Sequence, residues 1–274
     1  MLHWTEFGDP RGIPALYFHG TPSSRLEARA LDTAARDAGV RVISLDRPGM
    51  GRSPHIAGRT LVQWPGQLEQ CLDCWGLERV GVIGFSGGGP YAVACLARIP
   101  ERLTAVALLA PAGLHTGIPF WNRVLPHLYL RAHAPLAAVV GRVRRTRRVP
   151  GWMTEGTTAP LVSAWREAFA QGPAGPIQDE AVINEDWSGL LREAAQHVTG
   201  EGGAAAGGPS DGPWSGGVPV RVWQGAQDRV VSIRHGRFLA GALGAQLTEL
   251  AGVGHRKTVA TAGAAAVQWL RSPR

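Results

Sequence analysis

The chain of 274 residues contains little lysine and little cysteine. Its one lysine is Lys257, so nearly all of its positive charge comes from arginine. Three cysteines cannot form the framework of a disulfide-rich protein, and the pair Cys71 and Cys74 lacks the second pair that a zinc site would need. Because both lie in a helix predicted over residues 61–75, we expect them to fill space in the core.

Long apolar runs are also absent. The sequence contains no stretch of 18 apolar residues, the length that a membrane-spanning helix needs. Residues 1–6 lack the basic and then apolar pattern of a signal peptide. The nine histidines are dispersed, and no His-Glu-x-x-His spacing predicts a metal site. We therefore expect a cytoplasmic protein that contacts no membrane and uses no metal or cofactor. The sequence carries no signal for an oligomeric state.

Acidic residues are outnumbered by basic ones, which gives a net charge of +7 and an isoelectric point near 10.3. Five arginines lie between Arg142 and Arg148. Such a cluster can neutralise phosphate groups, but no aromatic residues alternate with it and no nucleic-acid-binding motif occurs. Nucleic acid is therefore disfavoured as a partner. A solvated surface, or a charged funnel for an anionic substrate, explains the cluster better.

A serine bracketed by glycines follows an apolar, β-branched run at residues 79–85. The segment Gly84-Phe85-Ser86-Gly87-Gly88 precedes a helix rich in alanine and leucine. A serine at a sharp turn from strand to helix needs small neighbours two residues away on either side, because a Cβ atom there would collide with nearby backbone. Ser86 is thus predicted to be a nucleophile at the N-terminus of a helix.

A serine hydroxyl needs a base, and the base needs a carboxylate to orient it. A predicted strand at residues 218–224 leads to Asp228, and a second at residues 246–253 leads to His255. Asp228 could instead serve only to form a turn. The loop after the predicted strand at residues 104–109 has no carboxylate up to Trp121, which favours Asp228. His235 is predicted to lie on the helix that follows Asp228.

Two further motifs complete a resemblance to the α/β-hydrolase family. Tyr-Phe-His-Gly-Thr-Pro at residues 17–22 resembles that family's His-Gly loop, and Leu-Asp-Arg-Pro-Gly-Met-Gly-Arg-Ser at residues 45–53 resembles its Asp-x-x-Gly-x-Gly-x-Ser turn. The order serine, aspartate, histidine matches as well. The resemblance implies that Ser86 attacks a carbonyl, His255 transfers the proton and Asp228 orients the imidazole.

The same resemblance implies that the backbone N–H groups of Thr21 and Gly87 form an oxyanion hole. It also implies a fold. Predicted strands alternate with helices, so we expect a mostly parallel sheet with helices on both faces. The chain should divide into a first core part at 1–112, a helical lid at 113–199, a glycine-rich linker at 200–217 and a second core part at 218–274. His19 is expected to shape its loop, and Asp46 to cap the turn beneath Arg47.

The substrate is predicted less sharply than the mechanism. We expect a small-molecule hydrophobic substrate, namely a carboxylic ester, lactone or thioester with a bulky acyl group. Whether this substrate is anionic or bound to a carrier stays open. Residues expected to line its pocket are His19, Phe85, Phe120, Trp121 and Trp152. The family that this sequence resembles includes esterases and thioesterases of bacterial secondary metabolism. Two alternatives stay open: an acyltransferase, lyase or cyclase on the same scaffold, and a non-catalytic ligand-binding protein.

Overall fold

A computed structural model describes residues 2–114, 159–199 and 217–273. The strands are β1 (Trp4–Gly8), β2 (Ile13–Phe18), β3 (Val40–Leu45), β4 (Val80–Phe85), β5 (Leu103–Leu109), β6 (Val198–Thr199), β7 (Val218–Gly225) and β8 (Gln246–Leu250). The α-helices are α1 (Asp32–Asp37), α2 (Trp64–Cys74), α3 (Gly88–Arg98), α4 (Ala159–Ala168), α5 (Ala174–Ile183), α6 (Ser188–Ala195), α7 (Ile233–Leu243) and α8 (His255–Arg271). Short 3-10 helices cover Arg25–Leu31, Leu61–Gln63 and Pro100–Arg102.

The strands form one sheet in the order β1-β3-β2-β4-β5-β7, and β7 also pairs with β8 and with the short β6. Among the described strands, β1 alone runs antiparallel to its neighbour, and every other pairing is parallel. Parallel strands need crossover connections, and helices supply them here. The prediction of a mostly parallel sheet flanked by helices is therefore confirmed.

Helices cover both faces of the sheet, and each face has its own apolar layer. The side chains of α2, α3, α6 and α7 pack on one face, and those of α1, α8 and the 3-10 helix Arg25–Leu31 pack on the other. Strand β4 shows why both layers form. Val80 and Val82 point into the first layer, whereas Ile83 and Phe85 point into the second. A strand that is apolar on both sides is typical of a central parallel strand.

The strands predicted at residues 79–85, 104–109, 218–224 and 246–253 are confirmed to within about three residues, but three details of the sequence analysis are wrong. The sequence pattern predicts one helical stretch over residues 180–196, but these residues belong to two helices, because Asn184 and Asp186 make local bonds that compete with the helix. The Asn184 amide donates to the Glu180 carbonyl at 2.7 Å, and the Asp186 carboxylate accepts from the Ser188 N–H at 3.0 Å. The two-residue β6 was not predicted.

The third error concerns the cysteines. Cys71 is buried as expected, but Cys74 is exposed. The buried stripe of α2 runs through Trp64, Leu68, Cys71 and Leu72. The last residue of this helix falls beside that stripe because each residue turns the helix by about 100°.

Part of the sequence-based domain division lies outside the described residues. This applies to residues 115–158 of the predicted lid and to residues 200–216 of the predicted linker. Phe120, Trp121, Trp152 and the arginine cluster belong to the first of these segments. Helices α4, α5 and α6 form the described part of the predicted lid. No helix in the described ranges has the length and apolar character needed to cross a membrane.

Replacing Gly88 with alanine should destabilise the protein, because a Cβ atom there would lie 2.0 Å from the Phe18 carbonyl oxygen. We expect the free energy of unfolding, measured by urea denaturation, to fall by about 1–3 kcal/mol. The matched control is Gly241→Ala on α7, where a Cβ atom would meet nothing within 4 Å. That change should raise the free energy of unfolding by about 0.5–1 kcal/mol through helix propensity. Equal effects at the two glycines would contradict the close contact.

Candidate active site

Ser86 occupies the turn between β4 and α3 in a backbone conformation that few residues other than glycine adopt. Its φ angle is +50°, which places it in the sparsely populated left-handed region. A Cβ atom on Gly84 would lie 2.8 Å from the Gly88 carbonyl oxygen, and one on Gly88 would strike the strand below. The predicted need for small residues on both sides of Ser86 is thereby confirmed.

Three side chains from different parts of the chain form a continuous line of hydrogen bonds. His255 Nε2 lies 2.9 Å from Ser86 Oγ, and His255 Nδ1 lies 2.7 Å from Asp228 Oδ2. Because a carboxylate can only accept, Nδ1 carries the proton and Nε2 is free to accept the hydroxyl hydrogen of Ser86. The structure thus brings together the three residues that the sequence singled out, in an arrangement suited to proton transfer.

The Asp228 carboxylate is held from two directions. Its Oδ1 accepts from the N–H groups of Val230 and Val231, both at 2.8 Å, so Asp228 does form the turn that the alternative interpretation expected. Its Oδ2 accepts from Gln224 Nε2 at 3.0 Å as well as from His255. Gln224 was missed by sequence reasoning. Its signal in the sequence was a glutamine at the end of an apolar strand, four residues before the carboxylate.

The imidazole of His255 stacks on the ring of Phe85. The ring centroids lie 5.1 Å apart with planes inclined by 30°. Phe85 also lies against Gly20, where a Cβ atom would be 3.3 Å from the phenyl ring. Phe85 therefore packs between the imidazole and the His-Gly loop, and its contact with a substrate stays a prediction.

The His-Gly loop approaches Ser86 closely. A Cβ atom on Gly87 would lie 2.3 Å from Thr21 Oγ1, and one on Gly20 would lie 3.4 Å from Ser86 Cβ. Within the described part of the chain, no backbone acceptor pairs with the N–H of Thr21 or of Gly87. Two adjacent backbone donors next to a serine hydroxyl could bind a negatively charged oxygen.

His19 shapes this loop, as the sequence analysis expected. Its Nδ1–H donates to the Gly20 carbonyl at 2.8 Å, and its Nε2 accepts from the Arg47 N–H at 3.3 Å. Burial, followed by the nearby Arg47 charge, holds the pKa of His19 well below its usual value, so the ring is neutral. Its predicted contact with substrate stays a prediction.

Two buried carboxylates support the loop, and the sequence analysis identified neither. Glu27 accepts from the Gly20 N–H at 2.8 Å, the Ser23 hydroxyl at 2.8 Å and the Tyr17 hydroxyl at 3.1 Å. Burial raises the pKa of Glu27, and these donors oppose that effect. They are the compensation that a buried carboxylate requires.

The second carboxylate is Asp179 on α5. Its Oδ1 accepts from Arg59 Nη2 at 2.5 Å, Tyr91 OH at 2.6 Å and Arg47 Nε at 3.1 Å. Its Oδ2 accepts from Thr21 Oγ1 at 2.5 Å and Arg47 Nη2 at 2.7 Å. Burial alone would raise the pKa of Asp179, but the two guanidinium groups outweigh it and hold the pKa far below its usual value.

The turn that carries Arg47 is fixed by a third buried acid. Asp46 accepts from the N–H groups of Arg25 at 2.7 Å and Arg52 at 2.9 Å, and pairs with the Arg25 guanidinium at 2.6 Å. Its predicted role in capping the turn is confirmed.

In the described ranges, no group of three or more His, Cys, Asp or Glu side chains is placed to hold a metal ion.

Removing the Asp179 carboxylate should destabilise the protein strongly. Asp179→Ala leaves the guanidinium groups of Arg47 and Arg59 buried without a counter-charge, which typically costs about 3–5 kcal/mol. Thermal and urea unfolding would measure the loss. The control is Glu249→Ala, which breaks an exposed pair with Arg237 and should leave the melting temperature nearly unchanged. A melting temperature equally insensitive to both changes would contradict the importance of the buried cluster.

Comparison with known proteins places these features in a family. The sequence model of the alpha/beta hydrolase fold matches residues 14–256. A proline iminopeptidase of Neisseria meningitidis is 24% identical over 147 residues, which cover 50% of this chain and 47% of that protein. The chain spans less than half the length of the first curated relatives that it matches.

Solved structures share the fold over nearly the whole chain. An esterase of Exiguobacterium antarcticum superposes with a TM-score of 0.72 at 16% identity, covering 99% of this chain and 96% of the esterase. An enol-lactonase of Burkholderia xenovorans superposes with a TM-score of 0.65 at 22% identity, covering 97% of this chain and 93% of the lactonase. At such identities the likeness concerns the fold alone. Because the family's sequence model extends over most of its length, this chain belongs to the α/β hydrolase fold family.

Proposed function

We propose that this α/β hydrolase is a serine hydrolase that cleaves a carboxylic ester, lactone or thioester through an acyl-enzyme. The observation that carries the proposal is the hydrogen-bonded line from Asp228 through His255 to Ser86. It ends beside the backbone N–H groups of Thr21 and Gly87, for which the described residues provide no backbone acceptor. A nucleophile, a base, a group that orients the base and a pair of oxyanion donors are the parts that acyl transfer requires.

In the first half of the reaction, Ser86 Oγ attacks the substrate carbonyl carbon while His255 Nε2 takes the hydroxyl proton. Asp228 stabilises the imidazolium that forms. The carbonyl oxygen becomes an oxyanion and receives hydrogen bonds from the Thr21 and Gly87 N–H groups. The tetrahedral intermediate then collapses, and His255 gives its proton to the departing alcohol or thiol.

The second half regenerates the enzyme. Water attacks the acyl carbonyl, His255 accepts a proton from that water, and the oxyanion again binds to the two backbone donors. Collapse of this intermediate breaks the bond to Ser86 Oγ, which recovers its proton from His255. The products are a carboxylic acid and the alcohol or thiol released earlier; a lactone, whose alcohol stays attached to its acyl group, gives a single hydroxy acid.

The substrate class is proposed from the predicted lid and from the names of the structural neighbours. The predicted lid of residues 113–199 is large and carries Phe120, Trp121 and Trp152, which favours a bulky hydrophobic acyl group. Names among the structural neighbours include an esterase, an enol-lactonase and an N-acyl homoserine lactone degrading enzyme. We therefore place esters and lactones first, and thioesters, free or carried by another protein, beside them.

Single substitutions in the line of hydrogen bonds should abolish most turnover. We expect Ser86→Ala and His255→Ala each to lower kcat by a factor on the order of 10⁴ or more, with Asp228→Asn close behind. The measurement is steady-state hydrolysis of a p-nitrophenyl ester. His55→Ala, which changes an exposed histidine, is the control and should retain the wild-type rate. Full activity in Ser86→Ala would contradict the proposal.

An acyl-chain panel should identify the bond and the chain length. The panel holds p-nitrophenyl esters from two to twelve carbons, a thioester series of the same lengths, an N-acyl homoserine lactone and a proline p-nitroanilide. We expect kcat/KM to rise with acyl length until the pocket is filled, because each buried methylene contributes about 0.8 kcal/mol. Ser86→Ala corrects for spontaneous hydrolysis.

The same panel separates the alternatives. Transfer of the acyl group to an added alcohol or amine in place of water would favour an acyltransferase. Ligand binding that is equal in wild type and Ser86→Ala, with no turnover of any member, would favour a non-catalytic binding protein. Cleavage of the anilide alone would indicate a peptidase and contradict the ester assignment.

A further inference from the structure

Helix α5 lies in the predicted lid, yet its Asp179 side chain reaches the His-Gly loop beside Ser86. The Asp179 side chain is fully buried and accepts from Thr21 Oγ1 and from Arg47. The helix also packs closely on the core, because a Cβ atom on Gly175 would lie 1.9 Å from the Gly49 carbonyl oxygen. The described part of the predicted lid is therefore fastened to the loop that supplies the Thr21 N–H.

The contact extends to the peptide group that contains this donor. The Gly20 carbonyl and the Thr21 N–H belong to one peptide unit. That carbonyl accepts from His19 Nδ1 at 2.8 Å and from Arg47 Nη2 at 3.2 Å, and Arg47 Nη1 donates to the preceding His19 carbonyl. Hydrogen bonds to a carbonyl polarise its peptide unit and strengthen the N–H as a donor.

Asp179 in turn fixes the Arg47 guanidinium, which donates to the Gly20 carbonyl. Arg47 is fully buried and meets Asp179 through two of its nitrogen atoms, a fork geometry that sets the plane of the guanidinium. Arg47 and Arg59 together carry two positive charges against the one negative charge of Asp179. The Glu27 carboxylate on the Gly20 N–H supplies a second negative charge, so these charges balance and Asp179 acts on the loop through geometry.

We propose that Asp179 is a positioning residue for the oxyanion hole, through which the predicted lid controls the orientation of the Thr21 N–H. It touches neither Ser86 nor a substrate atom, and it acts through the Thr21 hydroxyl and the Arg47 guanidinium. The proposal rests on the proposed function for its catalytic consequence. Its structural content, a loop held in place from α5, can be measured without any turnover.

The kinetic test uses two variants of one side chain. Thr21→Val keeps the shape of threonine but removes the hydroxyl that donates to Asp179, whereas Thr21→Ser keeps the hydroxyl. Displacing a donor by about 1 Å can cost on the order of 10²-fold. We expect Thr21→Val and Asp179→Asn to lower kcat by roughly 10- to 100-fold with little change in KM, and Thr21→Ser to recover most of the loss.

Gln171→Ala distinguishes positioning from simple docking of the lid. Gln171 also joins the predicted lid to the core, because its amide donates to the carbonyls of Gly51 at 3.0 Å and Ser53 at 2.7 Å. Within the described residues, its side chain has no hydrogen bond to the His-Gly loop. The substitution Gln171→Ala should therefore leave kcat at the wild-type value. A fall in kcat in Gln171→Ala as large as in Asp179→Asn, or a wild-type kcat in both Thr21→Val and Asp179→Asn, would overturn the proposal.

Hydrogen–deuterium exchange of residues 19–23 tests the structural content independently of activity. Exchange should quicken in Thr21→Val and Asp179→Asn, and should match wild type in Gln171→Ala. If the wild-type protein cleaves no substrate but exchange changes in this way, the proposed function fails and the positioning by Asp179 stands. If the protein is an active esterase and exchange is unchanged in both variants, the positioning fails and the proposed function stands. Should Asp179→Asn not fold, Thr21→Val alone decides between these outcomes.

Discussion

The hydrogen bond between His255 and Ser86 joins residues 169 positions apart, and the rest of the site depends on that meeting. The order of the strands makes it possible. Strands β4, β5, β7 and β8 are consecutive neighbours and run parallel, so their carboxyl ends lie along one edge of the sheet. Ser86 follows β4, Asp228 follows β7 and His255 follows β8. Reactive groups placed after parallel strands converge at such an edge.

A second constraint is that the His-Gly loop must hold its backbone donors in place without a regular hydrogen-bond ladder. Buried acids hold the loop from two sides. Glu27 accepts from the Gly20 N–H, and Asp179 accepts from the Thr21 hydroxyl. Buried carboxylates are costly unless fully paired, and every oxygen of these two has at least one donor. In the proposed mechanism, a loop held in this way needs little rearrangement when charge develops on the substrate oxygen.

Local patterns predicted much of this from the sequence. The apolar run before Ser86, the glycines around it and the residues Asp228 and His255 after two further strands each depend on neighbours within a few positions. Asp179 escaped because its partners are distant in the chain. Asp179 lies 132 residues from Arg47, and no periodicity marks such a pair. The break between α5 and α6 and the exposure of Cys74 were missed for the opposite reason, since each depends on hydrogen bonds or helix geometry at a single turn.

Reaction with an alkyl fluorophosphonate, followed by mass spectrometry of the peptide that contains Ser86, tests the central claim most directly. This reagent needs a nucleophile activated by a base, and it does not require the natural substrate to be known. The account predicts one phosphonyl group on Ser86 in the wild-type protein and labelling slowed by orders of magnitude in His255→Ala. A wild-type protein that stays unlabelled at Ser86, or that reacts equally fast without the imidazole of His255, would contradict it.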